Sequence, residues 1–363
     1  MLGILLYCRP GFENDCANEI QAKASELEVF GYIKTLKNSG FVLYHCYDPS
    51  QVEGLAEQLN FSQLIFARQM IVAVALVEEL PAEDRIKPIL EITRNLPMAG
   101  DVFVECPEGD ETKPLLTFCR KFTVPFRQAL KKHNNLTKKE NMKKRRTHVC
   151  FMDYETAYVG YSLPNNRSEQ HMGITRLRFP NEAPSRSTLK LDEAFQTFLT
   201  KEEQEQRAHS GLRAVDLGAC PGGWTYQLVR RGMFVSCVDN GAMAESLMDT
   251  GQITHYMEDG FKFEPERKNI HWLVCDMIEK PKRVAKLMAQ WLVDGWCKEA
   301  IFNLKLPMKQ RYQEATEDLK LLTDIIEEAG FNYELQAKHL YHDREEITVH
   351  VRLTDKFYGA LDK

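Results

Sequence analysis

Apolar and polar positions follow two regimes along this chain. From residue 1 to about 170, short apolar runs (GILLYC, GFVLYHCY, MIVAVALV, VFVEC, HVCFM) are interleaved with stretches of helical period such as DCANEIQAKASEL and PLLTFCRKFTVPFRQALKK, a pattern that predicts an α+β unit. The turn signal Asn38-Ser39-Gly40 between two strand-like runs predicts a hairpin. Periodicity then gives way to prolines, asparagines and serines, which puts a linker at 166–182. From 183 the pattern is regular: strand RAVDL, a helix from about Trp224, strands MFVSCVD, ITHYM and WLVCD, a helix from about Pro281, strand AIFNLK, a long helix to Glu328 and two closing strands ending in EITVHVRL. Apolar strands alternating with helices predict a doubly wound sheet buried on both faces.

Composition narrows this picture only slightly. A chain of 363 residues with 44% hydrophobic residues can build two or three cores. With 47 basic against 52 acidic residues, overall charge does not announce a nucleic-acid partner, so any basic surface is local. Ten cysteines with no C-x-x-C pair disfavour a disulfide framework or a zinc site and suit a reducing cytosol. The amino terminus lacks the positive charge and cleavage pattern of an export signal, and MIVAVALV is far too short to cross a bilayer. The expectation is a cytoplasmic protein.

The densest local signal is AVDLGACPGGWTYQLV, residues 214–229. Small residues between a strand and a helix allow close backbone approach, and the helix offers free N–H groups to a ligand. A dinucleotide fingerprint requires G-x-G-x-x-G, which this loop lacks. Asp216-x-Gly218-x-x-x-Gly222 instead resembles motif I of S-adenosylmethionine-dependent methyltransferases. Asp239, 23 residues after Asp216 at the end of the next strand, stands where an acid takes ribose hydroxyls, and Asp259 suits the adenine amino group. The expected cofactor site is Ser187, Gly218, Cys220, Pro221, Gly222, Gly223, Asp239, Asp259 and Asp276.

The acceptor is a separate question. WLVCDMIEKP carries neither the Asn/Asp-Pro-Pro-aromatic stretch of nitrogen methylators nor a Pro-Cys nucleophile. Lys305 ends an apolar strand, where a cation needs a reason. With Lys190, Asp276 and Glu345 it resembles the Lys-Asp-Lys-Glu tetrad of RNA ribose 2′-O-methyltransferases. A ribose hydroxyl attacks only once its proton is taken, with oxygen, methyl and sulfur in line. Lys305 is expected to be the base, with Lys190 as the nearby cation that helps a lysine shed its proton. Between Glu345 and Glu346, strand parity selects Glu345, which shares a face with Ile347, Val349 and Val351.

APSRSTLKLDEAF, SLMDTGQITHYMEDGFKF, CDMIEKP, IFNLKLPMKQRY and LYHDREEITVHVR, together with the glycine loop, look like the RlmM-type bacterial methyltransferases. RPGFENDCANEI, SQLIFARQ and TFCRKFTVPFR extend the resemblance over essentially the whole chain. It implies a ferredoxin-like region at 1–70 and a THUMP-like RNA-binding region at 71–165. A Rossmann-like methyltransferase domain with a mixed seven-stranded sheet would occupy 183–363. The implied reaction is 2′-O-methylation of a cytidine in the peptidyl-transferase loop of 23S rRNA, acting before full subunit assembly and without a metal. Independently, residues 127–146 hold nine Lys or Arg and one Glu, enough to contact several phosphates. Lys131, Lys132, Lys138, Lys139, Lys143, Lys144, Arg145 and Arg146 are the expected RNA contacts. A non-catalytic RNA-binding or assembly factor, or a nicotinamide-dependent oxidoreductase, are the alternatives.

Overall fold

In the computed structural model the chain forms two compact units, Met1–Ile174 and Thr175–Lys363, and the structure describes residues 1–108 and 112–354. The 166–182 segment is therefore divided between them. Its first part is anchored in unit 1, where Asn166 Nδ2 donates to the carbonyls of Ala56 and Leu59 and its Oδ1 accepts from Phe61 N–H.

Unit 1 runs β1 (Gly3–Tyr7), α1 (Glu13–Glu26), β2 (Gly31–Lys34), β3 (Phe41–Cys46), α2 (Val52–Gln58), β4 (Gln69–Val77), α3 (Ile86–Thr93), β5 (Asp101–Glu105), α4 (Lys113–Lys132), β6 (Arg146–Phe151) and β7 (Ala157–Ser162). All seven strands form one sheet, β2-β3-β1-β4-β7-β6-β5, antiparallel except for the β5–β6 pair. The expected hairpin joins β2 to β3, with Gly40 at φ +72° in the turn. The apolar side chains of α3 and α4 pack with Val102, Val104, Val149, Phe151 and Val159 into one core.

Unit 2 runs α5 (Thr188–Phe198), α6 (Lys201–Arg207), β8 (Arg213–Leu217), α7 (Gly223–Arg230), β9 (Phe234–Val238), α8 (Glu245–Met248), β10 (Ile253–Tyr256), β11 (Ile270–Cys275), α9 (Pro281–Val293), β12 (Cys297–Lys305), α10 (Arg311–Glu328), β13 (Tyr333–Lys338) and β14 (Glu346–Leu353). The sheet order is β10-β9-β8-β11-β12-β14-β13, and β14 is antiparallel to both neighbours. Chain order reverses between β8 and β11, and ligands gather at the carboxyl ends of strands at such a reversal. No helix among the described residues is long and apolar enough to cross a membrane.

Candidate active site

Four charged side chains meet at the carboxyl edge of the second sheet, and topology explains why. β11 and β12 are parallel neighbours, so Asp276, one residue past β11, and Lys305, the last of β12, emerge at the same edge. β14 runs the other way, so its first residue, Glu346, lies opposite Lys305 in register. Lys190 comes from the first turn of α5. Three residues on, Glu193 accepts the backbone N–H groups of Tyr341 and His342, both at 2.9 Å, which fastens the loop before β14 to that helix.

Lys190 Nζ donates to Asp276 Oδ2 at 3.2 Å and lies 2.7 Å from Glu346 Oε1. Lys305 Nζ donates to Glu346 Oε2 at 3.0 Å. One carboxylate thus serves two cations. Burial disfavours its charge, but Lys190 and Lys305 outweigh that and hold Glu346 at about 2. Burial likewise disfavours a charged Lys190, yet Asp276 and Glu346 raise it above its ordinary value. Lys190 is therefore a firmly held ammonium, and Glu346 bridges it to Lys305.

Glu345 is not the fourth member. Its carboxylate is mostly exposed and pairs with Arg311 at 3.0 Å. Strand parity does not separate the two glutamates because β14 is buried on both faces: Thr348 and His350, which share a face with Glu346, are as enclosed as Ile347, Val349 and Val351. Apolar neighbours therefore could not identify the inward face. The available signal was the polar alternation Glu346, Thr348, His350 in an otherwise apolar buried strand. Sequence reasoning also missed Asn303, whose Nδ2 donates to Asp276 Oδ1 at 2.8 Å.

Beside Asp276 lies a cleft of about 490 Å³ lined by Gly218, Cys220, Asp239 and Asp259 among others. Asp239 accepts from Cys220 N–H at 3.0 Å and Gly241 N–H at 2.8 Å, tying the glycine loop to the end of β9. Ser187, Pro221, Gly222 and Gly223 are outside this lining. The small size of the two glycines answers to the protein itself: a Cβ on Gly222 (φ +115°) would meet Leu247 Cδ1 at 2.2 Å, and one on Gly223 would meet Ser187 Oγ at 2.0 Å.

The donor set discriminates between cofactors. Asp239, Glu258, Asp259, Asp276 and Glu279 all line the cleft, an environment that repels a pyrophosphate. It suits ribose hydroxyls, which donate hydrogen bonds, and a sulfonium, which is a cation. Beneath the loop, Asp216 Oδ2 accepts from Thr225 Oγ1 at 2.6 Å, while the buried Oδ1 has no hydrogen-bond partner among the described residues. Burial, opposed by Thr225 and reinforced by Asp276 and Asp239, pushes Asp216 up to about 7.

In unit 1, Lys131, Lys132, Lys138, Lys139, Lys143 and Lys144 are exposed. Arg146 is not: it is 1% exposed, stacked over Phe103 at 3.9 Å and paired with Glu169 at 2.5 Å. Arg145 is half-buried, over the Tyr161 ring at 4.5 Å and paired with Glu53. The basic run therefore ends in two arginines that serve the fold, because β6 begins at Arg146 and draws it into the sheet.

Residues 1–71 match the RlmM ferredoxin-like domain, residues 84–163 the amino-terminal region of ribosomal RNA large subunit methyltransferase M, and residues 183–305 the FtsJ-like methyltransferases. The chain is 73% identical over 359 residues to the ribosomal RNA large subunit methyltransferase M of Psychromonas ingrahamii, covering 99% of this chain and 98% of that one. It is 59% identical to the protein of that name from Vibrio parahaemolyticus (96% and 98% covered) and 57% identical to that from Shewanella loihica (97% and 98%). The chain belongs to the ribosomal RNA large subunit methyltransferase M family. As a member of the methyltransferase M family it is an S-adenosylmethionine-dependent enzyme, with a ferredoxin-like region followed by a Rossmann-like catalytic domain. Lys190, Asp276 and Lys305 fall within the FtsJ-like match, and Glu346 lies beyond it.

Proposed function

We propose that the enzyme methylates the ribose 2′-hydroxyl of a cytidine in the peptidyl-transferase loop of 23S rRNA, with Lys190, Asp276, Lys305 and Glu346 as its catalytic tetrad. The observation that carries the reading is the shared carboxylate of Glu346, bridging two lysines beside an acidic cleft. When bound, S-adenosylmethionine supplies an electrophilic methyl group on a sulfonium. The protein's part is to position the alcohol and take its proton.

Lys305 is the more exposed lysine, at 28% against 14% for Lys190, so it faces the acceptor. Its amine, once neutral, removes the 2′-hydroxyl proton as the oxygen attacks. Lys190 stays an ammonium held by Asp276 and Glu346 and fixes the carboxylate that aims Lys305. Asp239 and Asp259 take the nucleoside end of the cofactor, and Asp276 stands between cofactor and tetrad. The exposed lysines between Lys131 and Lys144 bind RNA phosphates.

The test is incubation with methyl-labelled cofactor and unmodified 23S RNA, followed by mapping of the modified nucleotide. Label is expected on one ribose. Label on a base would overturn the acceptor assignment, and a cellular role that survives Lys305→Ala would favour a non-catalytic RNA-binding factor.

A further inference from the structure

A chain of hydrogen bonds runs from Asp276 into the sheet, away from the ion pairs. Asn303 Nδ2 donates to Asp276 Oδ1 at 2.8 Å, and Thr348 Oγ1 lies 2.8 Å from Asn303 Oδ1. The same hydroxyl lies 2.9 Å and 3.1 Å from the two oxygens of Asp343. Asn303, Thr348 and Asp343 are 1%, 0% and 0% exposed. Asn303 on β12 and Thr348 on β14 are register partners, so the chain crosses directly between neighbouring strands.

Counting donors fixes where the protons are. Both oxygens of Asp276 face the Lys190 ammonium, at 3.2 Å and 3.4 Å, and act as acceptors. Asn303 must then turn its NH₂ toward Asp276 and its carbonyl toward Thr348. A hydroxyl has one proton, and that of Thr348 is used on Asn303. Its oxygen can only accept, so the remaining donor must come from Asp343. An ionised Asp343 would set lone pair against lone pair. Leu340 N–H donates to Asp343 Oδ2 at 3.0 Å, a contact that a neutral acid accepts equally well.

We infer that Asp343 is held as a neutral acid, and that Asp343, Thr348 and Asn303 form a positioning chain that orients Asp276 toward Lys190. Burial, with the nearby carboxylates of Glu346 and Glu193, pushes Asp343 well above the ordinary carboxylate range against the opposing Lys190 and Thr348. The role given to the chain rests on the methyl transfer proposed at Lys305; the proton on Asp343 does not.

Asp343→Asn tests the proton, because an asparagine amide can donate to Thr348 while its carbonyl accepts from Leu340. Its kcat is expected within about twofold of the parent. Thr348→Val should lower kcat about tenfold or more with KM for cofactor and RNA unchanged, and Thr348→Ser should restore it, the signature of orientation rather than binding. Cofactor affinity and thermal melting are measured for each variant. An infrared difference spectrum between the parent and Asp343→Asn should contain the carbonyl stretch of a protonated acid, a readout that needs no activity. A carboxylate signature there, an Asp343→Asn variant as impaired as Thr348→Val, or a fully active Thr348→Val would overturn the inference. Label found on a base by the parent enzyme would sink the transfer reading while leaving the infrared result to stand.

Discussion

Each unit contains a cluster of charged and titratable side chains, and the two differ in access. In unit 1, Ser162 Oγ lies 2.9 Å from His148 Nε2, and His148 Nδ1 lies 3.2 Å from Glu105 Oε2. By residue type and distance this is the arrangement of a hydrolytic triad. All three residues are 1% exposed, however. Glu105 also accepts from Tyr7 at 3.2 Å and from the Met172 backbone, and its Oε1 lies 3.6 Å from Nδ1 of the exposed His171, so the network meets water only through that outlying ring. In unit 2 the tetrad has buried members, but Lys305 reaches the surface and the acidic cleft adjoins Asp276. A polar network whose would-be nucleophile is covered supports the fold; one whose reactive amine faces solvent can act on another molecule. The chemistry of the residues is the same kind in both units, and exposure separates their roles.

The sharpest way to break this contrast is to remove one side chain from each cluster. Lys305→Ala should lower kcat about 10²–10⁴-fold, the range for loss of a general base, with cofactor binding retained by calorimetry. Ser162→Ala should leave methyl transfer within about twofold. A Ser162→Ala enzyme as inactive as Lys305→Ala would mean that the unit 1 cluster has a chemical role.

Arg146→Ala probes the structural side. The guanidinium is buried over Phe103, with Glu169 at 2.5 Å and Asp101 at 3.5 Å; Asp101 keeps Arg127 and Glu169 keeps Arg167 without it, so its loss mainly empties a packed site and should cost about 1–3 kcal/mol in denaturant unfolding. An unfolding curve unchanged by the substitution would return Arg146 to the surface as an RNA contact.

Glu346 and its exposed neighbour Glu345 give an internal control. Glu346→Gln should reduce kcat about 10–100-fold through misplacement of Lys190 and Lys305, and Glu345→Gln should change it less than about twofold. The pH dependence follows the same split. Glu346 titrates at about 2 in the folded state, below its usual range. Its contribution to stability is complete above the unfolded carboxylate value, about 4.3, and is lost as pH falls toward about 2. Glu346→Gln should therefore flatten acid unfolding in that window, and Glu345→Gln should leave the curve as it is.

Much of the architecture was legible because strand and helix periods are written in the order of apolar residues. The strands from RAVDL to the closing pair occur where that pattern puts them, and the glycine loop fell at the switch point. β7 carries little strand signal of its own: AYVGYS mixes aromatic, small and polar residues, and its burial comes from pairing between β4 and β6. Lys190, Asp276 and Lys305 are legible through resemblance; β-sheet topology places Asp276 and Lys305 at one edge, and the first turn of α5 brings Lys190 to them. Glu346 was lost because parity separates faces only when one of them meets water. Arg146 was misplaced for the related reason that charge runs are read as exposed, while β6 begins inside this one.

The smallest expected effect refines what remains of the basic run. Lys143 and Lys144 are exposed and precede the arginines that turn inward. If they contact phosphate, each releases about one counterion on binding, and a structured RNA loses roughly 0.7–0.9 units of salt slope per contact removed. Lys143→Ala with Lys144→Ala should therefore reduce the slope of log K against log salt by about 1.5, weaken binding of a 23S fragment at low salt, and leave kcat at saturating RNA intact. Reduced kcat with an unchanged slope would mean that these lysines act on the reaction without touching the RNA backbone. An unchanged slope and unchanged kcat would make the segment a solvated face, leaving Lys131, Lys132, Lys138 and Lys139 to carry the contact.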